Sequence, residues 1–159
     1  MKKGVKINPK ILIIFLIVVY AVSFIGSLFV SNKINSDWYN SIKPKITPPN
    51  YVFPVVWNII FFLIAISAYF CWTNSKGKVR KNFLIIYGLN LFLNLLWGFL
   101  YFQIQSPFLA FIEIILLWFS ILLMFYYSFR IDKKAALLII PYFFWVSFAM
   151  VLNYLSFNR

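Results

Sequence analysis

The sequence contains no histidine, a single cysteine and only three acidic residues among 159. Without histidine, the chain lacks the commonest metal ligand and the usual general base at neutral pH. The lone cysteine, Cys71, excludes an internal disulfide and any multi-cysteine metal site. Paired carboxylates, a nucleotide-binding glycine loop and a nucleophile–base pair are also missing from the sequence. We therefore predict no metal site, no required cofactor and no conventional catalytic residue.

Charged residues are scarce as well, at 11% of the chain, whereas 64% of the residues are hydrophobic and the mean hydropathy is +0.88. A soluble domain carries about 25% charged residues and could not bury so many apolar side chains. The sequence therefore predicts an integral membrane protein. The net charge of +12 is carried by helix ends and loops, which indicates membrane topology and contacts with lipid headgroups rather than nucleic-acid binding.

Five long apolar runs divide the chain, at about 11–30, 52–72, 83–102, 107–129 and 135–157. Each has about 20 residues or slightly more, which is enough to cross roughly 30 Å of hydrocarbon as a helix. The first run is longer than the apolar part of a signal peptide, so we expect it to be retained. We predict one all-α domain, residues 1–159, built as an integral membrane bundle of five transmembrane helices.

The distribution of positive charge predicts the orientation of this bundle. Eleven of the fifteen Lys and Arg residues lie in the N-terminus and in the second and fourth loops. The first loop and the C-terminus carry the other four. Because loops rich in Lys and Arg stay inside, we expect a cytoplasmic N-terminus and an external C-terminus, in a bacterial cytoplasmic membrane.

The first loop, residues 31–51, is the longest irregular segment that the sequence predicts. Three prolines within six residues, Pro44, Pro48 and Pro49, restrict the backbone to extended conformations. We therefore expect a stiff, non-helical loop. Its aromatic residues suit the lipid–water boundary or the mouth of a cavity.

Polar and aromatic side chains recur at helical spacing in three of the spans. The second span carries Trp57, Asn58, Phe61, Ala65 and Ala68; the third carries Asn90, Asn94, Trp97 and Tyr101; the fifth carries Tyr142, Trp145, Ala149 and Asn153. Stripes of this kind could line a pocket for a flat, largely apolar ligand. The alternative is structural: amides often hydrogen-bond between transmembrane helices while aromatic residues fill the core. In the first span, Ser23, Gly26 and Ser27 form a small-residue face that lets another helix approach.

Glu113 is the only acidic residue within a span. Intramembrane carboxylates are candidates for function, because a polar group in hydrocarbon must find a partner. The alternative is that Glu113 is protonated or paired near the interface. Asp37, which precedes Trp38, is expected to cap or anchor the first loop.

Ordered motifs in three segments carry a resemblance to a known family. They are Trp38-Tyr39, Lys43-Pro44, Pro48-Pro49, Phe53 and Val56-Trp57 around the first loop, Tyr87 to Trp97 in the third span, and Leu138 to Asn153 in the fifth. They resemble the TspO/MBR family, the translocator proteins also called peripheral benzodiazepine receptors or tryptophan-rich sensory proteins. Ile46 and Tyr51 stand where many members have tryptophan, and Phe53-Pro54 is a variant of bacterial members.

The resemblance implies a pocket between the helices, closed by the first loop. Its expected ligands are porphyrins such as protoporphyrin IX, isoquinoline carboxamide drugs and sterol-like molecules. By position, the resemblance assigns Tyr39, Trp57, Asn94, Trp145 and Ala149 to the pocket lining, with Phe61, Asn90 and Trp97 on the same faces. It leaves a homodimer open, although Gly88 and Gly98 are too far apart to form a small-residue pair on the third span.

The resemblance leads to the hypothesis of a membrane receptor or sensor that binds tetrapyrroles and affects their level or transport. A light-dependent porphyrin-degrading photo-oxidase is one alternative, with oxidation next to Trp57 or Trp145 and the porphyrin itself absorbing. A transporter is another, although the spans lack broken helices and a charged relay. A structural membrane subunit without a ligand is the fourth.

Overall fold

The structure is a computed structural model that describes residues 8–158. Its helices are α1 (Pro9–Ser31), α2 (Asp37–Ile42), α3 (Val52–Thr73), α4 (Gly77–Gly98), α5 (Pro107–Ile131), α6 (Lys133–Leu137) and α7 (Ile140–Phe157). A π-helical turn, Phe99–Gln103, continues α4. The predicted all-α fold is confirmed: five helical segments of this part of the chain are long and apolar enough to cross a membrane. Lys2, Lys3, Lys6 and Arg159, which enter the predicted orientation, lie outside the described residues.

Helix boundaries follow local sequence signals. Pro9, Pro107 and Pro141 lie in first turns, where a missing N–H costs no hydrogen bond. Ser106 caps α5 by accepting a hydrogen bond from the Leu109 N–H at 3.4 Å. Gly77, with φ of +55°, opens α4 in a left-handed conformation that favours glycine. As a result α4 begins earlier than predicted, and residues 78–82, which we expected in the second loop, are helical.

The first loop also contains more helix than predicted. We call residues 32–51 the lid, since they connect α1 to α3. Ser36 caps α2 by accepting from the Tyr39 N–H at 3.2 Å, and Asp37 lies in its first turn. The expectation of a wholly non-helical loop is therefore wrong for Asp37–Ile42, whereas the proline-rich part after it is irregular. The prolines begin only at position 44, so they leave this short helix unaffected.

A ladder of side-chain hydrogen bonds joins α4 to α5 and α7. Asn90 donates to Ser120 Oγ at 2.8 Å and accepts from Tyr142 OH at 3.3 Å. One turn further, Asn94 donates to the same Tyr142 oxygen at 3.2 Å. Within hydrocarbon such bonds satisfy polar groups that water cannot reach.

The lid end of the ladder continues from α4 into the π-helical turn. Trp97 donates to Asn153 Oδ1 at 2.9 Å, and Asn153 donates to the Pro107 carbonyl at 2.7 Å. Tyr101 donates to Ser156 Oγ at 2.8 Å. These bonds fix the end of α4 against α7 and the start of α5, next to the lid.

Candidate ligand-binding site

A cavity of about 550 Å³ lies under the lid, between α1, α3, α4 and α7. Most of its surface is apolar, and a few amide and hydroxyl groups interrupt it. Ligand pockets in proteins have this size and this composition. The bundle therefore contains a preformed space for a small, largely apolar molecule.

Six of the eight residues predicted to bind a ligand line this cavity. They are Tyr39, Trp57, Phe61, Asn94, Trp97 and Ala149. They come from the lid and from three helices, so the fold brings distant parts of the chain together as the helical stripes indicated. Whether they contact a ligand stays a prediction.

Two stacked aromatic pairs, one on α3 and one at the end of α4, belong to the cavity lining. On α3, the rings of Trp57 and Phe61 stack with centroids 5.4 Å apart. At the end of α4, Trp97 and Tyr101 stack at 5.3 Å. The two indoles thus line a mostly apolar space that offers aromatic contacts to a ligand.

Comparison with known proteins gives the family of the chain. Residues 14–157 match the model of the TspO/MBR family. The chain belongs to the TspO/MBR family. It is 35% identical to the tryptophan-rich protein TspO of Archaeoglobus fulgidus over 90% of this chain and 92% of that protein. It is 36% identical to the Chlorobaculum tepidum protein of the same name, over 84% and 85%. Human translocator protein is 28% identical over 82% of this chain and 79% of that protein.

Membership of the TspO/MBR family and the five apolar helices show that this is an integral membrane protein. The particular membrane and the orientation of the chain in it stay predictions. Within the described residues, no group of His, Cys, Asp or Glu side chains is arranged to hold a metal ion.

Asn90 does not line the cavity of this TspO/MBR protein. Its side chain is fully buried and is engaged by Ser120 and Tyr142 in the interhelical ladder. Asn94, one turn along α4, lies at the cavity surface while bonded to the same tyrosine. For Asn90, the structure thus shows the interhelical contacts that the alternative hypothesis described.

Trp145 lies on the other side of the α3–α7 contact. It lines a shallow outer groove with Val56, Ile60 and Phe148 rather than the cavity. Its ring meets Phe53, which does line the cavity, edge-on at 5.7 Å. The Trp145 Nε1–H is buried without a hydrogen-bond partner among the described residues. Of the two tryptophans considered for photo-oxidation, only Trp57 reaches the cavity.

Sequence reasoning missed the contribution of α1 to the lining and, within the lid, the lining residues other than Tyr39. Ser23, Gly26 and Ser27 on α1 face the cavity, although Gly26 also lies close to Leu95 of α4, as a small-residue face allows. From the lid come Pro44, Thr47 and Asn50 among others. The signal for α1 was present, since two serines one turn apart are unusual in an otherwise apolar span.

The lid is held by aromatic contacts with the π-helical turn. The ring of Trp38 meets Tyr101 edge-on at 5.9 Å, and Tyr39 contacts Phe102 at 5.6 Å. Burial, with the neighbouring Tyr101 as a smaller cause, raises the pKa of Tyr39 to about 12. Tyr39 is therefore a neutral phenol at physiological pH and adds no charge to the cavity.

Glu113 is buried on α5 and lies outside the cavity lining. Neither of its carboxyl oxygens has a hydrogen-bond partner within residues 8–158. Of the alternatives considered for Glu113, pairing is not seen among these residues, whereas a protonated carboxyl and a functional role both stay predictions.

Proposed function

We propose that this TspO/MBR family member is a membrane receptor or sensor that binds porphyrins, with protoporphyrin IX as the reference ligand, in the cavity under the lid. The cavity itself carries the proposal, because it offers two indoles and a mostly apolar surface to a flat ring system. A relative in Cereibacter sphaeroides is named tryptophan-rich sensory protein, which supports a sensing role. Isoquinoline carboxamide drugs and sterol-like molecules are proposed as further occupants of the same space.

The polar groups of the cavity suit orientation of a ligand rather than covalent chemistry. Asn94 and Asn153 each use the side-chain amide N–H in the helix ladder. Neither is close to a base that could activate it, since the chain has no histidine and the lining has no carboxylate. Binding with influence on tetrapyrrole level or transport is therefore the function that this geometry supports best.

The direct test is titration of protoporphyrin IX into detergent-purified protein in the dark, followed by tryptophan quenching. Ala149→Phe should abolish saturable binding, because the added ring occupies part of the cavity that Trp57 and Trp97 also line. Val151→Phe is a matched control two residues along α7, where the side chain is 49% exposed and faces away from the cavity. It should bind as the wild type does.

Two results would contradict the proposal. If the wild type shows no saturable binding, porphyrin is not its ligand. If both variants lose binding equally, the cavity is not the binding site. Repeating the titration under light tests the photo-oxidase alternative, in which Trp57→Phe should bind but no longer convert the porphyrin. Flux into sealed vesicles tests transport.

A further inference from the structure

The lid end of the cavity contains a hydroxyl group that no other group among the described residues engages. Thr47 lines the cavity, and its Oγ1 is buried without a hydrogen-bond partner among residues 8–158. Its backbone N–H is already used, in a turn that donates to the Pro44 carbonyl at 3.1 Å. A buried hydroxyl left unpaired costs about 1–3 kcal/mol. A ligand group that pairs with it recovers that cost.

A half-buried cation lies close to the same end of the cavity. Lys43 Nζ is 3.4 Å from Asn50 Oδ1 and 5.7 Å from the centroid of the Tyr39 ring. Asn50 and Tyr39 both line the cavity. In the part of the chain that the structure describes, no carboxylate pairs with Lys43, so an amide oxygen is the acceptor that holds it in place.

The charge balance around this end favours an anion. The lid carries Lys33, Lys43 and Lys45 against one acidic residue, Asp37, whose side chain is exposed. The cavity lining contains no acidic residue. An ammonium group in a partly desolvated place forms a strong, charge-assisted hydrogen bond with a carboxylate.

We propose that Thr47 and Lys43 form a carboxylate subsite at the lid end of the cavity. The ligand is then a flat apolar molecule with an acidic group at one edge, its ring against the aromatic lining and its carboxylate under the lid. Asn50 positions the ammonium group, since it accepts from Lys43 and is itself bonded to Asn35 at 3.2 Å. The inference rests on the proposed function and adds the polarity and orientation of the ligand.

The test compares protoporphyrin IX, which carries two carboxylates, with its dimethyl ester, which carries none. Both are titrated in the dark, in non-ionic detergent, into the wild type and three variants. Lys43→Met removes the charge and keeps the length of the side chain, and Thr47→Val removes the hydroxyl and keeps the shape. Lys45→Met is the matched control, because Lys45 is exposed, lies two residues away and, unlike Lys43, makes no hydrogen bond or cation–π contact with a lining residue among residues 8–158.

We expect the wild type to bind the free acid about tenfold more tightly than the ester. Lys43→Met should remove most of that preference, and Thr47→Val should reduce it about threefold. Both variants should lose more affinity for the free acid than for the ester, whose carbonyl can still accept from Thr47 but carries no charge for Lys43. Thermal unfolding followed by circular dichroism checks that both variants are folded. Lys45→Met should bind both compounds as the wild type does.

The failures of the two proposals are distinguishable. If neither porphyrin binds saturably to the wild type, the proposed function is wrong and the subsite falls with it. If both bind with equal affinity and Lys43→Met changes nothing, porphyrin binding stands and the carboxylate subsite is wrong. An equal loss in Lys43→Met and Lys45→Met would indicate general surface attraction and would also overturn the subsite.

Discussion

The two ends of the bundle are packed in different ways. At the end away from the lid, which we call the closed half, Ala68, Cys71, Phe83 and Ala135 are fully buried. At the lid end, which we call the open half, the same bundle surrounds a cavity of about 550 Å³. The same five-helix bundle thus contains a densely packed core at one end and a cavity at the other.

Side-chain size accounts for this difference. In the closed half, small residues on α3 let it approach α6 closely enough for Ser67 Oγ to donate to the Ala135 carbonyl at 2.9 Å. Cys71 Sγ donates to Ser128 Oγ at 3.4 Å in the same region. In the open half, α3 instead presents Phe53 and Trp57, whose rings meet α7 edge-on and hold the backbones apart.

We therefore expect the closed half to provide most of the stability and the open half to provide the proposed ligand site. Residues of the closed half contribute close contacts whose loss should cost folding free energy. Residues of the open half border the cavity and have fewer protein contacts to lose, so changes there should affect a ligand more than the fold. Two paired substitutions test this separation directly, and two further pairs test individual polar groups of the bundle.

The largest effect is expected from truncating an aromatic residue in each half. Phe83 is fully buried and stacks on Tyr87 at 5.8 Å, so Phe83→Ala should destabilise the protein by about 3–5 kcal/mol. Phe53 is half-buried at the cavity, so Phe53→Ala should cost less than about 1.5 kcal/mol, since a side chain beside empty space has fewer contacts to lose. Denaturant unfolding in detergent, followed by circular dichroism, measures both. Equal losses would contradict the separation.

Enlarging an alanine should have the next largest effect. Ala68→Leu adds three carbons where no space is left and should destabilise by about 1–3 kcal/mol. Ala149→Leu adds the same atoms beside the cavity and should leave the melting temperature nearly unchanged, while it weakens porphyrin binding. A melting temperature that falls by the same amount in both variants would show that the cavity closes around its lining.

A smaller effect should separate two tryptophans of the lid end. Trp97→Phe removes the indole N–H that donates to Asn153 Oδ1, so it should cost about 1 kcal/mol. Trp145→Phe removes an N–H that has no partner among the described residues, so its cost should stay below about 0.5 kcal/mol. Thermal unfolding of the two variants in the same detergent measures both losses of stability. A Trp145 variant that loses as much would reveal a bound lipid or water at that nitrogen.

The smallest effect is expected at Glu113. Both carboxyl oxygens are buried and unpartnered in the described part of the chain, so Glu113→Leu should leave stability unchanged or raise it by up to about 1 kcal/mol. Asn90→Leu is the control, because it breaks bonds to Ser120 and Tyr142 and should lower stability. If Glu113→Leu proves as damaging as the control, the carboxyl has a partner that stabilises the native bundle.

The fold was largely predictable because hydropathy decides it. Twenty apolar residues in a row have one stable arrangement in a bilayer, and five such runs with short loops leave little choice. Short local elements were harder to predict from the sequence. The helix Asp37–Ile42 depends on a single capping serine, and the π-helical turn Phe99–Gln103 follows apolar residues that would equally continue an α-helix.

The candidate site was predictable to the extent that helical spacing fixes a face. Steps of four residues drift by about 40° around a helix of 3.6 residues per turn. Trp145 precedes Asn153 by two such steps, so its broad ring reaches the outer groove while Asn153 faces the cavity. Asn90 is buried in the helix ladder and Asn94 meets the cavity, although one step separates them. The lining residues from α1 and most of those from the lid depend on tertiary packing. The spacing of residues within a single helix does not predict it.

The one native thiol, on Cys71, has a practical use for chemical labelling. Because Cys71 is fully buried in the closed half, a thiol reagent can reach it only when α3 separates from α5. Its rate of modification therefore reports how often that part of the bundle opens. A cysteine introduced at an exposed lid position such as Ser41 would react first, so a single fluorophore can be attached there without removing the native residue.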